Sequence, residues 1–573
     1  MVIENSFDNI EVIKINYKDR SIYLGSKYNM RREIENFRNK FLPVNKNYKI
    51  IIFGSSGGKW IYEYIDEFKE RDIIFIEPTK ELKEILEENI SKTNLNIKVL
   101  SLDSNSFKNE LKNSIDKRFI EFIIFSNYDL VFPNDVYNLK EMIKDYVMDK
   151  TINENTRIVF SKDWFENYIY NLPSVLIDEK LDEYKNVYKD KPAIIVSAGP
   201  SLEKNINLLK GNEDNFIIIT GIRTLSTLQR EGIKCDFACV IDGSEAMYKV
   251  SKEALNYDTP LFYSEGANKN IIKEYKGKKI YFSSPTFYQI SCKLGDFKTD
   301  LLYQGGSVAH SCTAIAHYLG CNPIIFIGQD LAYTNNQIHA KNATIEGEKI
   351  QPDKYDLFVK DIYGNEVPTS YGLDSFRKSF EEFIKHFDDR TYINATEGGA
   401  NIEGTKVMKL SEVIEQFKDN KIDKSYIKQY KKRNEDIALV IKNLKENLNE
   451  LIKAKKMAEE AVFENKNLLY KYYNDYKSYR KSLKKLDYID EKFNKKQREF
   501  LLINTLFAPI IKEIDIAFYD KKIGNFNDEV EHIKFVAEKG KVLYENINSC
   551  IEYALPHIEE IIKKLEELIN ESK

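Results

Sequence analysis

Ala193-Ile194-Ile195-Val196-Ser197-Ala198-Gly199-Pro200-Ser201-Leu202 is the stretch that decides the fold. Four apolar residues run unbroken into a Gly-Pro turn. That pattern reads as a short strand covered on both faces, followed by a helix start at which Pro200 is favourable. The same grammar recurs at 216–220, 237–241, 261–263, 280–282, 323–327 and 392–395. Short, continuous apolar runs separated by helical stretches predict a doubly wound parallel α/β domain over roughly 186–410. Most glycines of this section fall at strand ends, where loops approach ligands in open α/β sheets.

Outward from this section the chain changes character twice. Residues 48–53 run into Gly54-Ser55-Ser56-Gly57-Gly58, and further strands are expected at 73–76 and 119–125. A parallel, Rossmann-like domain is therefore expected over roughly 1–185. From roughly 411 to 573 no glycine occurs between Gly404 and Gly524, and Ile437, Val440, Ile441, Leu444, Leu448 and Leu451 recur at helical spacing. This predicts an antiparallel bundle of long helices. Three units suit 573 residues, since one hydrophobic core rarely serves more than about 250–300.

Composition narrows the function classes. Lys plus Arg at 86 against Asp plus Glu at 90 leaves a net charge of −4, without the basic excess of a dedicated nucleic-acid binder. Mean hydropathy is −0.47, and no apolar run reaches the roughly 18 residues of a membrane span. The first twenty residues lack the apolar core of a secretion signal. Six cysteines without a Cys-x-x-Cys pair fit a reducing cytoplasm and predict neither metal nor disulfide framework. Oligomeric state is not legible.

Three segments carry candidate chemistry. The turn at Ser197–Ser201 offers backbone N–H groups to a phosphate, with Gly199 allowing close approach. Asp242, at a strand end, suits ribose hydroxyls, a metal or a helix cap, and the lack of a second aspartate in an Asp-x-Asp pair weighs against the metal. Gln304-Gly305-Gly306-Ser307-Val308-Ala309-His310 opens a helix of small residues and makes a second anion site. His310 and His317 on that helix read as packing or surface residues. The strand at 323–327 leads into Gly328-Gln329-Asp330-Leu331-Ala332-Tyr333, with His339 beyond in a polar loop where proton transfer is possible. Near the N-terminus, the 54–58 turn with Glu77 about twenty residues on is similar to nucleotide-binding turns. Gly57 and Gly58 are adjacent, however, which favours a scaffold domain over a second active site.

The order of these motifs, with Asn394-Ala395-Thr396-Glu397-Gly398-Gly399-Ala400, resembles the Maf family, the motility accessory factors that glycosylate flagellin. The central section is also similar to bacterial sialyltransferases that use a CMP-activated sugar. The resemblance implies transfer of a pseudaminic- or legionaminic-type nonulosonic acid from CMP to Ser or Thr of flagellin, inverting and metal-independent, with no cofactor. It implies that Gly199, Pro200 and Ser201 lie against the CMP phosphate or nucleotide, and that Asp242 meets the ribose or cytosine edge. Gly306 and Ser307 would receive donor oxygens, with Ser197, Gly305 and Gln329 completing the donor set. Tyr333 would hydrogen-bond the departing phosphate. The sialyltransferase-type base histidine falls where this chain reads Val367-Pro368-Thr369-Ser370-Tyr371. The base is thus His339 first and Asp330 second. Archaeal 6-hydroxymethylpterin diphosphokinases resemble the same section, and a non-catalytic flagellin-binding protein is a third reading. The helical tail, with its tyrosine-rich stretch at 468–476, is a candidate docking face for flagellin.

Overall fold

A computed structural model describes residues 1–17, 20–46, 48–102, 107, 110–111, 119–344, 355–429, 433, 435–496, 500–518 and 528–571. The chain divides into two compact units: Met1–Asn155 with Ile516–Asn527, and Thr156–Asp515 with Asp528–Lys573. One crossing falls within the helix Pro133–Ile177 and another within Asn504–Ala517.

In the first unit, β1 (Val2–Asn5), β2 (Glu11–Tyr17) and β3 (Arg20–Tyr23) form an antiparallel meander. Beside it lies the expected parallel sheet of β4 (Lys49–Phe53), β5 (Asp72–Glu77), β6 (Ile97–Ser101) and β7 (Ile120–Ile124), in the order β6-β5-β4-β7. Helix α1 (Met30–Phe41) buries Met30, Ile34, Phe37 and Phe41, a stripe at helical spacing. The glycine turn after β4 is filled by protein. A Cβ on Gly54 would lie 2.3 Å from the Tyr128 ring, and the Tyr128 hydroxyl accepts from Ser56 N at 3.0 Å. That hydroxyl donates to Glu77 Oε2 at 3.2 Å, and Ser55 Oγ donates to Oε1. The scaffold reading of this turn rests on these contacts.

The second unit is built on a nine-stranded sheet. Its strands are β8 (Glu179–Lys180), β9 (Ala193–Val196), β10 (Ile217–Gly221), β11 (Phe237–Val240), β12 (Leu261–Ser264), β13 (Lys279–Phe282), β14 (Ile324–Ile327), β17 (Tyr392–Asn394) and β18 (Lys406–Val407). The order is β18-β17-β14-β9-β10-β11-β12-β13-β8, parallel throughout. A separate hairpin, β15 (Leu357–Lys360) with β16 (Glu366–Thr369), is antiparallel. β9 to β12 and β14 are buried at every residue, which is why they read as continuous apolar runs.

The tail is helical as expected: α2 (Ile437–Asn474), α3 (Tyr476–Lys496) and α4 (Glu529–Glu571). Lys445–Glu566, Lys455–Glu552 and Lys466–Glu545 ion pairs run in opposite order along α2 and α4, so the two are antiparallel. The boundaries differ from the three expected sections. Residues 156–185 and the tail fall with the central sheet. Val240, Tyr263, Tyr281 and Phe287 share one core with Val440, Leu444, Leu451 and Ile558, and Asn443 Nδ2 donates to Leu294 O at 2.9 Å. The tail thus covers part of one face of the sheet. Truncation near residue 420 would uncover that core and is not a clean removal of a domain.

Burial in the first unit pushes Glu77 from the ordinary 4.5 up to about 7, against the bonds from Ser55 and Tyr128 that lower it. A raised carboxyl pKa means the folded unit binds the proton more tightly than the unfolded chain. Stability from this group is present below about pH 4.5 and is lost as pH rises through 7. Urea midpoints read by Trp60 fluorescence in a Trp164→Phe background should fall between pH 5 and 7.5, and Glu77→Gln should flatten that slope. An equal slope in both proteins would remove Glu77 from the pH dependence.

Candidate functional site

The sheet of the second unit grows outward from β9 through β10, β11, β12 and β13, then returns to add β14 on the other side of β9. Loops leaving β9 and β14 therefore diverge, and ligands of doubly wound sheets bind in the crevice this opens at the strands' C-terminal ends. A cavity of about 230 Å³ lies there, far above the roughly 10–15 Å³ of a single water site. Its walls come from Ser197–Gly199 after β9, Gly221–Thr224 at the end of β10 and beyond it, Asp242 after β11, Ser307–Ala309, and Gly328–Ala332 after β14.

Two side-chain rungs tie the β9 and β14 loops together across the crevice. Ser197 Oγ donates to Gln329 Oε1 at 2.6 Å. Ser201 donates to the Asp330 carboxylate from Oγ at 2.6 Å and from N at 3.1 Å. Gly199 N donates to Gly328 O at 2.8 Å. Asp330 is 2% exposed. Burial pushes its pKa up, opposed first by the Ser201 hydroxyl. A Cβ on Gly199 would lie 2.2 Å from Asp330 Oδ2 and 2.4 Å from Gly328 O.

Two helices point their N-termini into the cavity: Ile222–Arg230, capped by Gly221, and Val308–Tyr318, capped by Ser307. A Cβ on Gly221 would lie 2.9 Å from Val308 Cγ1, so the two helix starts abut. Their dipoles place partial positive charge side by side. Arg223 adds a full charge in the first turn of its helix, lining the cavity with its Nη2 donating to Ala343 O at 3.3 Å. A cation at a helix N-terminus opposes the macrodipole and costs about 0.3–1 kcal/mol. An anion between the two helix starts would reverse that sign.

His310 sets the hydroxyl of Ser307. It is buried and stacked on Phe380 with ring centroids 3.9 Å apart. Its Nε2 lies 3.0 Å from Phe376 O, a carbonyl that only accepts, so Nε2 donates. Burial lowers its pKa to about 4, so the ring is neutral and Nδ1 accepts from Ser307 Oγ at 2.7 Å. The Ser307 side chain thereby makes no cap to its own helix, and its remaining lone pairs stay available at the cavity wall.

A family model of 6-hydroxymethylpterin diphosphokinase MptE-like proteins matches residues 166–336. No curated protein sequence matches the chain. Among solved structures, the MAf glycosyltransferase from Magnetospirillum magneticum AMB-1 superposes with a TM-score of 0.57 at 13% identity. The match covers 99% of this chain and 93% of that one. The chain has the Maf glycosyltransferase fold.

Within this Maf fold, Ser197, Gly199, Asp242, Ser307, Gln329, Asp330 and His339 come together around one cavity. Asp242 is exposed there, and its Oδ1 accepts from Ser244 N at 2.8 Å. Pro200, Ser201, Gly305, Gly306 and Tyr333 are not in the lining. The expected phosphate cradle at 199–201 is corrected by the bonding: Gly199 N and Ser201 N are spent on Gly328 and Asp330, and Pro200 has no N–H. Gly199 is small because protein, not ligand, approaches it. Gly305 likewise faces the His310 ring, which a Cβ would meet at 2.3 Å. Tyr333 donates its N–H to Pro368 O and packs its ring 6.0 Å from Tyr355. Sequence reasoning missed Gly221, Arg223 and Thr224. The signal was present in Thr220-Gly221-Ile222-Arg223: a glycine at a strand end with an arginine in the first helical turn, where a cation is disfavoured.

Gly199→Ala should therefore lower stability by roughly 1–3 kcal/mol through overpacking, read as a lower urea midpoint of the second unit. A wild-type midpoint would mean that the two loops are not clamped as described.

Proposed function

We propose that the chain is a glycosyltransferase that moves a pseudaminic- or legionaminic-type nonulosonic acid from its CMP-activated form to Ser or Thr hydroxyls of flagellin, in the cytoplasm before export. The observation that carries this reading is the meeting of two helix N-termini and Arg223 in the switch-point cavity of a chain with the Maf fold. Phosphate binds at helix N-termini through backbone N–H groups and the dipole, and Arg adds bidentate charge-assisted bonds.

In this mechanism the CMP phosphate lies between Gly221–Thr224 and Ser307–Ala309, and Asp242 takes the ribose or cytosine edge. The acceptor hydroxyl oxygen bonds to the anomeric carbon as the bond from that carbon to the phosphate oxygen breaks. A single displacement inverts the centre. Negative charge grows on the departing CMP, where Arg223 and the helix starts stabilise it without a metal. The acceptor proton passes to a base. His339 lines the cavity, whereas Asp330 is committed to Ser201 through both N and Oγ. The geometry therefore favours the histidine. The tail helices serve as the flagellin-docking part.

The family match over 166–336 favours a second reading, pyrophosphoryl transfer to a pterin, because those residues span β9 to β14 and most of the cavity lining, though not His339. A third reading, a flagellin-binding protein without catalysis, predicts no CMP binding at all.

Calorimetric titration separates the three. CMP should bind without added divalent metal, and Arg223→Ala should weaken it roughly ten- to hundredfold, as expected for a charged hydrogen bond. ATP with Mg²⁺ binding in place of CMP would hand the site to the second reading. With flagellin and a CMP-activated nonulosonate, His339→Ala should lower turnover roughly 10²–10⁴-fold and leave CMP affinity unchanged. Full turnover in that variant would move the base elsewhere.

A further inference from the structure

Helix α3 has two unlike faces. Tyr479, Ser482, Leu486 and Ile489 are buried, and Ser482 Oγ donates to Glu464 Oε2 at 2.6 Å, which pins α3 against α2. On the other side Lys477, Arg480, Lys481 and Lys484 are exposed. Their spacing of i, i+3, i+4 and i+7 puts all four on one stripe. Tyr476 at its start and Tyr488 at its end are exposed as well, as is Tyr473 at the end of α2.

This stripe differs from the seam between α2 and α4. There several lysines are met by glutamates of the facing helix, as at Lys445–Glu566, Lys455–Glu552 and Lys466–Glu545. None of Lys477, Arg480, Lys481 and Lys484 forms an ion pair among the described residues. The run 476–485 holds five cations and no carboxylate, in a chain whose net charge is −4. Like charges crowded on a helix face are destabilising, so an uncompensated stripe of this kind fits an external negative partner.

We propose that the Lys477–Lys484 stripe with Tyr473, Tyr476 and Tyr488 docks a short acidic segment of the protein that accepts the sugar. The identification of the partner as an acceptor rests on the glycosyl-transfer reading. Asp475 bounds the stripe at one end and Asp487, Asp490 and Glu491 at the other. The positive track is therefore only about 10 Å long, at 1.5 Å per residue. That length matches a few carboxylates on a peptide and is short for the continuous backbone charge of a nucleic acid. The exposed rings are tyrosines, which supply contact area with a polar tip and not the aliphatic anchor of a membrane-bound helix.

The test uses the full chain and a fluorescein-labelled 15-residue peptide rich in Asp and Glu, followed by anisotropy. Wild type should bind it with an affinity that falls as salt rises. Lys477→Glu with Lys481→Glu should weaken binding at least about tenfold, while exchange of the three lysines for arginine keeps it. CMP titration on the same samples should be unchanged, and the KM for flagellin should rise in the reversed variant with kcat held. Equal peptide affinity in wild type and the reversed variant would overturn the proposal. So would tighter, stripe-dependent binding of single-stranded RNA or phosphatidylglycerol vesicles than of the peptide. If wild type binds the peptide through the stripe but not CMP, the transfer reading fails while the acidic docking site stands.

Discussion

The second unit hangs on the Asp330 carboxylate and the Ser201 turn it holds. β9 and β14 are adjacent parallel strands whose following loops must part company, because the chain leaves β9 on one side and β14 on the other. Loops that diverge gain nothing from strand pairing, so a crevice there stays shaped only if side chains bridge it. Asp330 accepts twice from Ser201, Gln329 accepts from Ser197, and the lack of a Cβ at Gly199 lets the Gly328 carbonyl come close. In a water-poor setting such bonds are electrostatically strong, and unmade ones are costly. The cavity is thus held open by its own walls before any ligand arrives.

That arrangement sorts charge within the site. The acidic side chain nearest the switch point is occupied by its hydrogen bonds from Ser201, whereas the two helix starts meet at the cavity wall, which Arg223 also lines. Helix N-termini deliver their charge through backbone and need no rotamer ordering on binding. His310 contributes at one remove: as a buried neutral ring it fixes the direction of the Ser307 hydroxyl and adds no charge of its own. The result is a cavity wall of helix starts with His339 also in the lining.

Much of this was legible in the sequence, for identifiable reasons. Strands at 193–196, 237–240 and 324–327 were visible because parallel strands covered on both faces leave unbroken apolar runs. The β1–β3 meander was not, since only Val12 and Ile13 of its residues within the strands are buried and the alternation is faint. The hairpin β15–β16 is largely exposed and leaves no unbroken apolar run, and the two-residue edge strands were too short to stand out. The helix Pro133–Ile177 carries no single apolar stripe to mark it. Among site residues, Asp242, Gln329 and Asp330 stood out by their places at strand ends, His339 by the polar loop beyond, and Ser307 by its place at a helix start. Arg223 did not, because one arginine in a helix is ordinary until the helix start is known to face a cavity. The glycines misled in a consistent way. They marked close approach correctly, but the approaching group at Gly199 and Gly305 is protein.

The tyrosine filling the glycine turn of the first unit has a thermodynamic meaning of its own. A nucleotide seeking that turn has to lift the Tyr128 ring out of its contacts and break its bond to the buried Glu77. Re-exposing a ring that buries about 150–250 Å² costs roughly 4–6 kcal/mol at 25 cal/mol per Å², or about three to four powers of ten in affinity. A ligand for that turn would have to recover this cost in contacts of its own before it gained any net affinity. The turn is thus closed by stored burial energy, and the first sheet keeps its parallel framework with its own tyrosine as the resident group.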